Sequence, residues 1–364
     1  QRVEIAKALS RNARLLIMDE PTAALTEADA LRLFDIVRRL RERGVGVIYI
    51  SHRLEEVFDL ADRVTVLRDG SYVGTKPVSA TDKDDLIGMM VGRTIDALFP
   101  KKKVAPGEVV LSVEGLNRPP LTKDVRLAVR SGEIVGLAGL VGSGRSELAQ
   151  IIFGVTPAAS GTIFVGGEEV SIKSPKDATS LGIAYVPEDR GLQGLIRPMA
   201  LRENVSLAIL ERLASFNLIN RDDERKLAED SIKQFGIRGS GIEQVVNKLS
   251  GGNQQKAVLA KWLATKPRLL IMDEPTRGVD VGAKAEIHRL MGDLVEQGLA
   301  ILMISSELPE IMGMSDRILV MREGRLVAEF VGAETDQEEI ATAMMGGDRL
   351  DRRRLDHADS LGAH

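Results

Sequence analysis

One nine-residue string, RLLIMDEPT, occurs twice in the chain, at Arg14–Thr22 and again at Arg268–Thr276. The two copies start 254 residues apart, and the same spacing pairs Gly70 with Gly324. Similarity at a constant spacing indicates an internal duplication, which constrains the fold more than any single motif does. The sequence therefore predicts two copies of one structural unit.

This spacing predicts how the chain is divided into domains. We expect residues 1–94 to be the final part of a first copy, 95–109 a connector, and 110–346 a complete second copy. Residues 347–364 are highly charged and poor in apolar side chains, so we expect a disordered tail. Because the chain opens with Gln1 and not with Met, we also expect the first copy to be incomplete.

Short apolar runs predict the strands of a parallel sheet. LLIM stands at 15–18 and at 269–272, and a wholly apolar run is typical of a strand that is buried on both faces. The alternation of strands, loops and helices predicts an α/β fold of the doubly wound, nucleotide-binding type. The other elements predicted on this basis are strands at 45–51, 133–140 and 299–305 and a helix at 146–154.

Composition excludes several classes of function. The 364 residues are enough for two domains with cores of their own. The chain has no Cys, which excludes disulfides, thiolate metal sites and a thiol nucleophile. A net charge of −4 argues against binding to nucleic acid. No apolar run approaches the roughly 18 residues that span a bilayer, so a membrane role requires a partner.

The stretch GLVGSGRS lies between a predicted strand and a predicted helix, where backbone N–H groups can surround a phosphate. It matches the phosphate-loop pattern G-x-x-x-x-G-K-[ST], except that an arginine replaces the lysine. A guanidinium is broader than an ammonium, so we expect nucleotide binding to survive and transition-state stabilisation to weaken. The residues assigned to the nucleotide are Gly139, Leu140, Val141, Gly142, Ser143, Gly144, Arg145 and Ser146, and the hydroxyl of Ser146 is also assigned to Mg²⁺.

Each copy of LLIM is followed by an Asp–Glu pair. Asp19 and Asp273 stand at the strand ends and suit Mg²⁺. Glu20 and Glu274 come next and can orient an attacking water or accept its proton. The recurrence of both residues at a fixed spacing favours this function over a simple acidic turn.

A second candidate anion site is LSGGNQQK, which precedes an amphipathic helix. Ser250, Gly251 and Gly252 stand where the helix begins, and we assign them to the nucleotide together with Gln254. A helix N-cap would explain the serine but not the two adjacent glycines.

The copies differ at the polar position that follows the next strand. The first has His52, which is placed to contact a γ-phosphate or the attacking water, and the second has Ser306. The copy with Arg145 thus also lacks the histidine, which predicts an impaired phosphate site in that copy. Glu188 and Asp189 lie between GLVGSGRS and LSGGNQQK in the second copy. We expect them either to face Mg²⁺ or a partner protein, or to form a solvated acidic turn.

In chain order, GLVGSGR, VPEDR, LSGGNQQK, DEPTRGVDVGAK and ISSELPE resemble the motifs of the duplicated ATPases of monosaccharide ABC importers, the ribose, galactose and xylose class. The resemblance implies two tandem P-loop NTPase domains, the first incomplete, that sandwich ATP and Mg²⁺. It implies hydrolysis mainly at the site of Asp19, Glu20 and His52, closed by the segment 250–252 with Asp280 at the seam. The other site, with Glu188, Asp273 and Glu274, would mainly hold its nucleotide.

The resemblance also implies partners and a location. We expect an integral membrane permease to dock near Glu188–Leu195, a periplasmic sugar-binding protein to act indirectly, and the subunit to be peripheral on the cytoplasmic face of the inner membrane. Two alternatives stay open, namely an ABC-type protein that acts on ribosomes or DNA and a regulatory module without turnover. The short connector and the lack of sustained heptads disfavour the first alternative.

Overall fold

A computed structural model of the chain describes residues 13–22, 27–51, 53–68, 70–91, 99–215, 218–332 and 334–346. The chain divides into two compact units. The first comprises residues up to 98 together with 280–282, and the second comprises the rest from Phe99 onward. His52 and the predicted tail at 347–364 lie outside the described residues.

The first unit has a small core. Leu16, Met18, Leu33, Phe34 and Val37 are buried together where a helix packs on a strand pair. The described elements of this unit are β1 (Leu15–Asp19), α1 (Glu27–Glu42), β2 (Gly46–Ile50), α2 (Leu54–Leu60), β3 (Arg63–Arg68), β4 (Ser71–Pro77) and α3 (Lys83–Val91). β1 and β2 pair in parallel, and β3 and β4 form an antiparallel hairpin.

The second unit contains the remaining strands and helices. Its strands are β5 (Val109–Arg118), β6 (Thr122–Arg130), β7 (Ile134–Gly139), β8 (Ser160–Val165), β9 (Glu168–Val170), β10 (Ile183–Val186), β11 (Ala214–Ser215), β12 (Leu218–Ile219), β13 (Leu269–Asp273), β14 (Ala300–Ile304), β15 (Arg317–Arg322) and β16 (Arg325–Val331). Its α-helices are α4 (Arg145–Ile152), α5 (Pro175–Ser180), α6 (Leu201–Ser206), α7 (Leu210–Leu213), α8 (Arg221–Phe235), α9 (Gly251–Leu263), α10 (Val281–Glu296), α11 (Leu308–Met314) and α12 (Gln337–Met345).

Two sheets organise the second unit. The larger has the strand order β10-β13-β14-β7-β15-β16 and is parallel apart from the β15–β16 hairpin. The smaller is antiparallel, in the order β6-β5-β8-β9. The carboxyl ends of β7, β13 and β14 meet at one edge of the larger sheet, as ligand sites of open α/β sheets require.

Apolar residues of the central strands are buried on both faces of the larger sheet. In β13, Leu270 and Met272 join the core beneath the helices, while Leu269 and Ile271 join the core that includes the antiparallel sheet. This two-sided burial explains why the strand is a continuous apolar run. The predicted strands at 133–140, 269–272 and 299–305, the helix after the Gly-rich loop and the α/β class are confirmed.

Every β-strand and α-helix described in the first unit has a counterpart in the second at the 254-residue spacing that the sequence shows. The pairs are β1 with β13, α1 with α10, β2 with β14, α2 with α11, β3 with β15, β4 with β16 and α3 with α12. The hairpins even shift register at matching places, between Val66 and Leu67 and between Val320 and Met321.

The units differ in what surrounds these elements. The string LLIMD is identical in β1 and β13, yet Leu15 and Ile17 are 55% and 62% exposed. In the second unit β7 pairs with both β14 and β15, whereas β2 and β3 have no such strand between them in the described residues. A groove of about 790 Å³ lies there, with Ile48 and Val64 in its wall.

None of the helices in the described ranges has the length and apolar character that membrane crossing demands.

Candidate functional site

The Gly-rich loop joins β7 to α4 and is open to solvent at its tip. Its tip at Leu140 and Val141 is exposed, and the N–H of Ser143 donates to the Leu140 carbonyl at 3.0 Å. Gly144 has a φ of +102°, which favours glycine, and it directly precedes the helix. A Cβ on Gly139 would lie 2.5 Å from the Met321 carbonyl oxygen. The backbone therefore dictates these glycines, and a loop that ends at a helix N-terminus suits phosphate.

Arg145 does not project from the loop into solvent. Its side chain is only 8% exposed, and Nη1 donates to the carbonyl oxygen of Ser305 at 2.7 Å. Nη2 lies 3.7 Å from Oε1 of Glu274. The residue in the lysine position is thus turned onto the end of β14 and the neighbouring carboxylate.

Asp273 ends β13 beside the loop and is almost fully buried. Its Oδ2 accepts a hydrogen bond from the Tyr185 hydroxyl at 3.1 Å, while its buried Oδ1 has no hydrogen-bond partner among the described residues. Burial raises the pKa of Asp273, and the hydroxyls of Ser146 and Tyr185 oppose that rise. A spare carboxylate oxygen near a loop hydroxyl is a donor pair that suits Mg²⁺.

The fit to Mg²⁺ depends on few protein ligands. The described residues contain no cluster of three or more His, Asp or Glu that would hold a metal by itself. Mg²⁺ at nucleotide sites commonly takes one or two protein ligands, with phosphates and waters supplying the rest. Asp273 and Ser146 therefore fit the predicted role, which stays a prediction.

Glu274 occupies a strained turn directly after β13. Its φ is +49°, and its N–H donates to the Ile304 carbonyl at 2.9 Å. Its Oε2 accepts a hydrogen bond from the Ser306 hydroxyl at 3.1 Å. Burial raises the pKa of Glu274, opposed by Ser306 and the positive charge of Arg145. Ser306 thus hydrogen-bonds one carboxylate oxygen of Glu274 and Arg145 lies near the other, so both oxygens already have partners within the second unit.

The first unit repeats the backbone of this turn. Glu20 has a φ of +43°, and its N–H donates to the Ile50 carbonyl at 2.9 Å. Asp19 and Glu20 are both exposed at the end of β1. The third residue predicted for this site, His52, lies outside the described residues.

Two buried glutamates escaped the sequence reasoning. Glu310 accepts hydrogen bonds from Thr276 at 2.8 Å and from the His288 ring at 2.7 Å, and Glu56 accepts one from Thr22 at 2.6 Å. Glu56 thereby connects the DEPT turn after β1 to α2, and Glu310 connects the DEPT turn after β13 to α11. The signal that could reveal them is their 254-residue spacing, because both copies keep an acid on an otherwise apolar helix face.

The start of α9 is shaped by close packing. A Cβ on Gly251 would lie 2.8 Å from the Gly278 carbonyl oxygen, and one on Gly252 would lie 2.5 Å from Cβ of Ala283. Packing thus accounts for both glycines, so their presence alone does not indicate an anion site. Ser250 is exposed, and its side chain does not cap the helix. Its assignment to a nucleotide, with Gly251 and Gly252, stays a prediction.

The remaining assigned residues have contacts of their own. The Gln254 amide donates to the carbonyls of Val246 and Leu249, so it braces the preceding turn. Glu188 forms an ion pair with Arg277. Asp280 is exposed in the loop before α10. The roles predicted for Gln254, Glu188 and Asp280 stay predictions.

Comparison with known proteins places these features in a family. A model of the ABC transporter family matches residues 122–277. The ribose import ATP-binding protein RbsA 2 of Rubrobacter xylanophilus is 54% identical over 346 residues, which cover 95% of this chain and 67% of that protein. RbsA of Geobacillus kaustophilus is 50% identical, with 96% and 71% covered. RbsA 2 of Escherichia coli O157:H7 is 52% identical, with 95% and 69% covered.

The chain belongs to the ATP-binding subunits of sugar-importing ABC transporters. Proteins of this ABC ATPase family bind ATP with Mg²⁺ and hydrolyse it.

Solved structures agree on the fold. A nucleotide-free ATP-binding cassette has a TM-score of 0.54 at 22% identity, covering 68% of this chain and 98% of that one. A cassette in its ADP conformation also has a TM-score of 0.54 at 22% identity, covering 70% and 100%. The ABC ATPase fold of the chain is therefore shown.

Proposed function

We propose that this ABC ATPase powers the import of a simple sugar of the ribose type through a membrane permease. The observation that carries the proposal is the Gly-rich loop at the end of β7, which lies beside a buried Asp273 oxygen that has no hydrogen-bond partner in the described part of the chain. The names of the similar ribose import proteins supply the class of cargo.

The chain's own residues divide the work at such a site. The loop N–H groups would bind phosphate oxygens, and Asp273 with Ser146 would hold Mg²⁺ in the second unit, as Asp19 would in the first. Bound Mg²⁺ supplies positive charge that offsets the charge of the phosphates. Glu20 would orient the attacking water and take up its proton, and His52 would contact the γ-phosphate.

We further propose that the first unit is part of a second ABC domain. The seven elements that recur at one spacing and the matching strained glutamates support a duplication. The groove beside β2 and β3 has the place of β7 in the second unit, so we expect a further parallel strand to fill it in the full-length protein. Such a strand would bring a phosphate loop of its own.

The two units would then contribute unequally to hydrolysis. In the second unit, Arg145 and Ser306 engage Glu274, and a base held in this way is poorly placed to activate water. We therefore assign turnover mainly to Asp19, Glu20 and His52. The loop at 139–146 would mainly hold nucleotide.

We propose that the permease docks on the turn at Arg190–Gly194. Leu192 is 81% exposed at its tip, and the Asp189 side chain anchors the turn that presents it by accepting from the N–H groups of Gly191 and Leu192. The subunit would then be peripheral on the cytoplasmic face of the membrane. A periplasmic sugar-binding protein would act through the permease.

The test is the ATPase activity of the full-length protein with Glu20→Gln and, as the matched control, Glu274→Gln. We expect the first substitution to abolish most turnover and the second to reduce it little. Equal losses would contradict the division of labour. Unchanged turnover in both variants would contradict the assignment of the DEPT glutamates.

A further inference from the structure

Arg190 joins two loops that follow neighbouring strands. It begins a π-type turn, Arg190–Gly194, shortly after β10. Its Nη1 donates to the carbonyl oxygen of Arg277 at 2.6 Å, and its Nη2 donates to that of Gly278 at 3.0 Å. Both carbonyls belong to the RGVD loop, which connects β13 to α10 and contains Asp280. The Arg190 guanidinium thus hydrogen-bonds the backbone of this loop at two successive residues.

The same guanidinium lies against the start of α9. A Cβ on Gly251 would be 2.8 Å from Nη2 of Arg190 and equally close to the Gly278 carbonyl oxygen. Only a residue without a side chain allows these three segments to meet this closely. Arg190 therefore lies where the turn at 190–194, the RGVD loop and the LSGGN segment converge.

Further contacts hold the turn at both of its ends. Glu188 pairs with Arg277, so a side-chain contact reinforces the two backbone contacts between the loops. Asp189 accepts hydrogen bonds from the N–H groups of Gly191 and Leu192, and Lys261 Nζ donates to the Gly194 carbonyl at 2.5 Å. The turn that carries exposed Leu192 is therefore attached to the RGVD loop at its start and to α9 at its end.

We propose that Arg190 is a positioning residue for ATP hydrolysis, which sets the RGVD loop and the LSGGN start in register and links both to the Leu192 turn. This inference rests on the proposed function, because Leu192 matters only if a permease docks there. Arg190 itself touches no reacting atom. Its substitution should lower the rate of the permease-stimulated reaction and leave nucleotide affinity unchanged.

The test compares Arg190→Gln and Arg190→Lys in the full-length protein assembled with its permease. Losing two hydrogen bonds from a charged donor should lower the stimulated kcat by about tenfold or more, with KM for ATP within about twofold. Arg190→Lys keeps the charge but cannot reach both carbonyls in the same fork, so it should restore only part of the rate. The matched control is Arg197→Gln, which removes an arginine whose hydrogen bonds within the described residues go to the Asn247 side chain and not to the RGVD loop, so kcat should stay unchanged.

Hydrogen–deuterium exchange on the same variants separates positioning from general destabilisation. In Arg190→Gln, we expect faster exchange at the amides of 277–280 and 251–253, with the strands of the sheet as protected as before. Wild-type exchange at these amides, or wild-type stimulated kcat, would overturn the inference. If Glu20→Gln abolishes turnover while Arg190→Gln does not, the inference fails and the proposed function stands. If Glu20→Gln has no effect, the proposed function fails whatever Arg190 does.

Discussion

Lys261 places an ammonium group inside the second unit, and this makes the stability of the unit depend on pH. The side chain is buried in α9, donates to the Gly194 carbonyl at 2.5 Å, and lies 4.9 Å from the centre of the Trp262 ring. Burial lowers the pKa of Lys261 from 10.5 to about 8. Since one pKa unit corresponds to about 1.4 kcal/mol, keeping this group charged costs the folded state about 3 kcal/mol at neutral pH.

The sign of the pH dependence follows from the lowered pKa. Between about pH 8 and pH 10.5 the unfolded chain binds this proton more fully than the folded protein does, so the free energy of unfolding rises with pH. Between pH 7 and pH 9.5 the gain from this one group amounts to about 2 kcal/mol. Lys261→Met fills a similar volume without a charge, so it should remove that part of the pH dependence.

The assay is urea unfolding at pH 7 and pH 9.5, followed by the fluorescence of Trp262, the single tryptophan of the chain, and by circular dichroism. Wild type should gain about 2 kcal/mol over Lys261→Met between the two pH values. The control is Lys176→Met, which removes an exposed lysine paired with Glu211 and should show no such difference. If wild type and Lys261→Met change equally with pH, the ammonium is not destabilised by burial and the reasoning is refuted.

Three further predictions concern the site and its support. Glu310→Ala leaves buried donors without an acceptor, so it should destabilise the second unit by about 3–5 kcal/mol, measured by urea unfolding; a loss below about 1 kcal/mol would contradict the buried network. Arg145→Lys combined with Ser306→His should raise ATP turnover in a Glu20→Gln background, and no gain over that background would show that these two residues do not limit the second site. Gly252→Ala would place a Cβ against Ala283 and should cost about 1–3 kcal/mol in thermal unfolding, whereas a neutral outcome would mean that α9 and α10 can separate freely.

Local sequence predicts β7, β13 and β14, three adjacent strands of the larger sheet, because burial on both faces dictates their apolar runs. The LLIM run of β13 is apolar throughout since both faces of the strand are covered, and the loop after β7 needs its glycines for backbone reasons. Buried and exposed side chains alternate along β6, which is typical of a strand. The nucleotide-site motifs lie outside the antiparallel sheet, so they do not predict it. The identical LLIMD of β1 shows the limit, because the same letters lie half exposed in the first unit.

Side-chain direction at the site depends on distant residues, so it cannot be predicted from local sequence. Arg145 turns inward because the Ser305 carbonyl, 160 residues further along the chain, accepts its hydrogen bond. Gly251 similarly reflects Arg190 and Gly278, which come from two other loops. A sequence motif predicts which side chains a site contains, whereas tertiary contacts decide which of those side chains already have hydrogen-bond or packing partners.

The left-handed turn of Glu274 has a consequence for how this protein could change. A non-glycine residue at such an angle costs about 1–3 kcal/mol and persists only where packing enforces it. The second unit keeps this geometry, matching Glu20, although its own side chains have taken hold of the carboxylate. If the proposed division of labour holds, the second unit has kept the backbone of a hydrolytic turn while its carboxylate is engaged by neighbouring side chains, and substitutions at Arg145 and Ser306 would be enough to release that carboxylate.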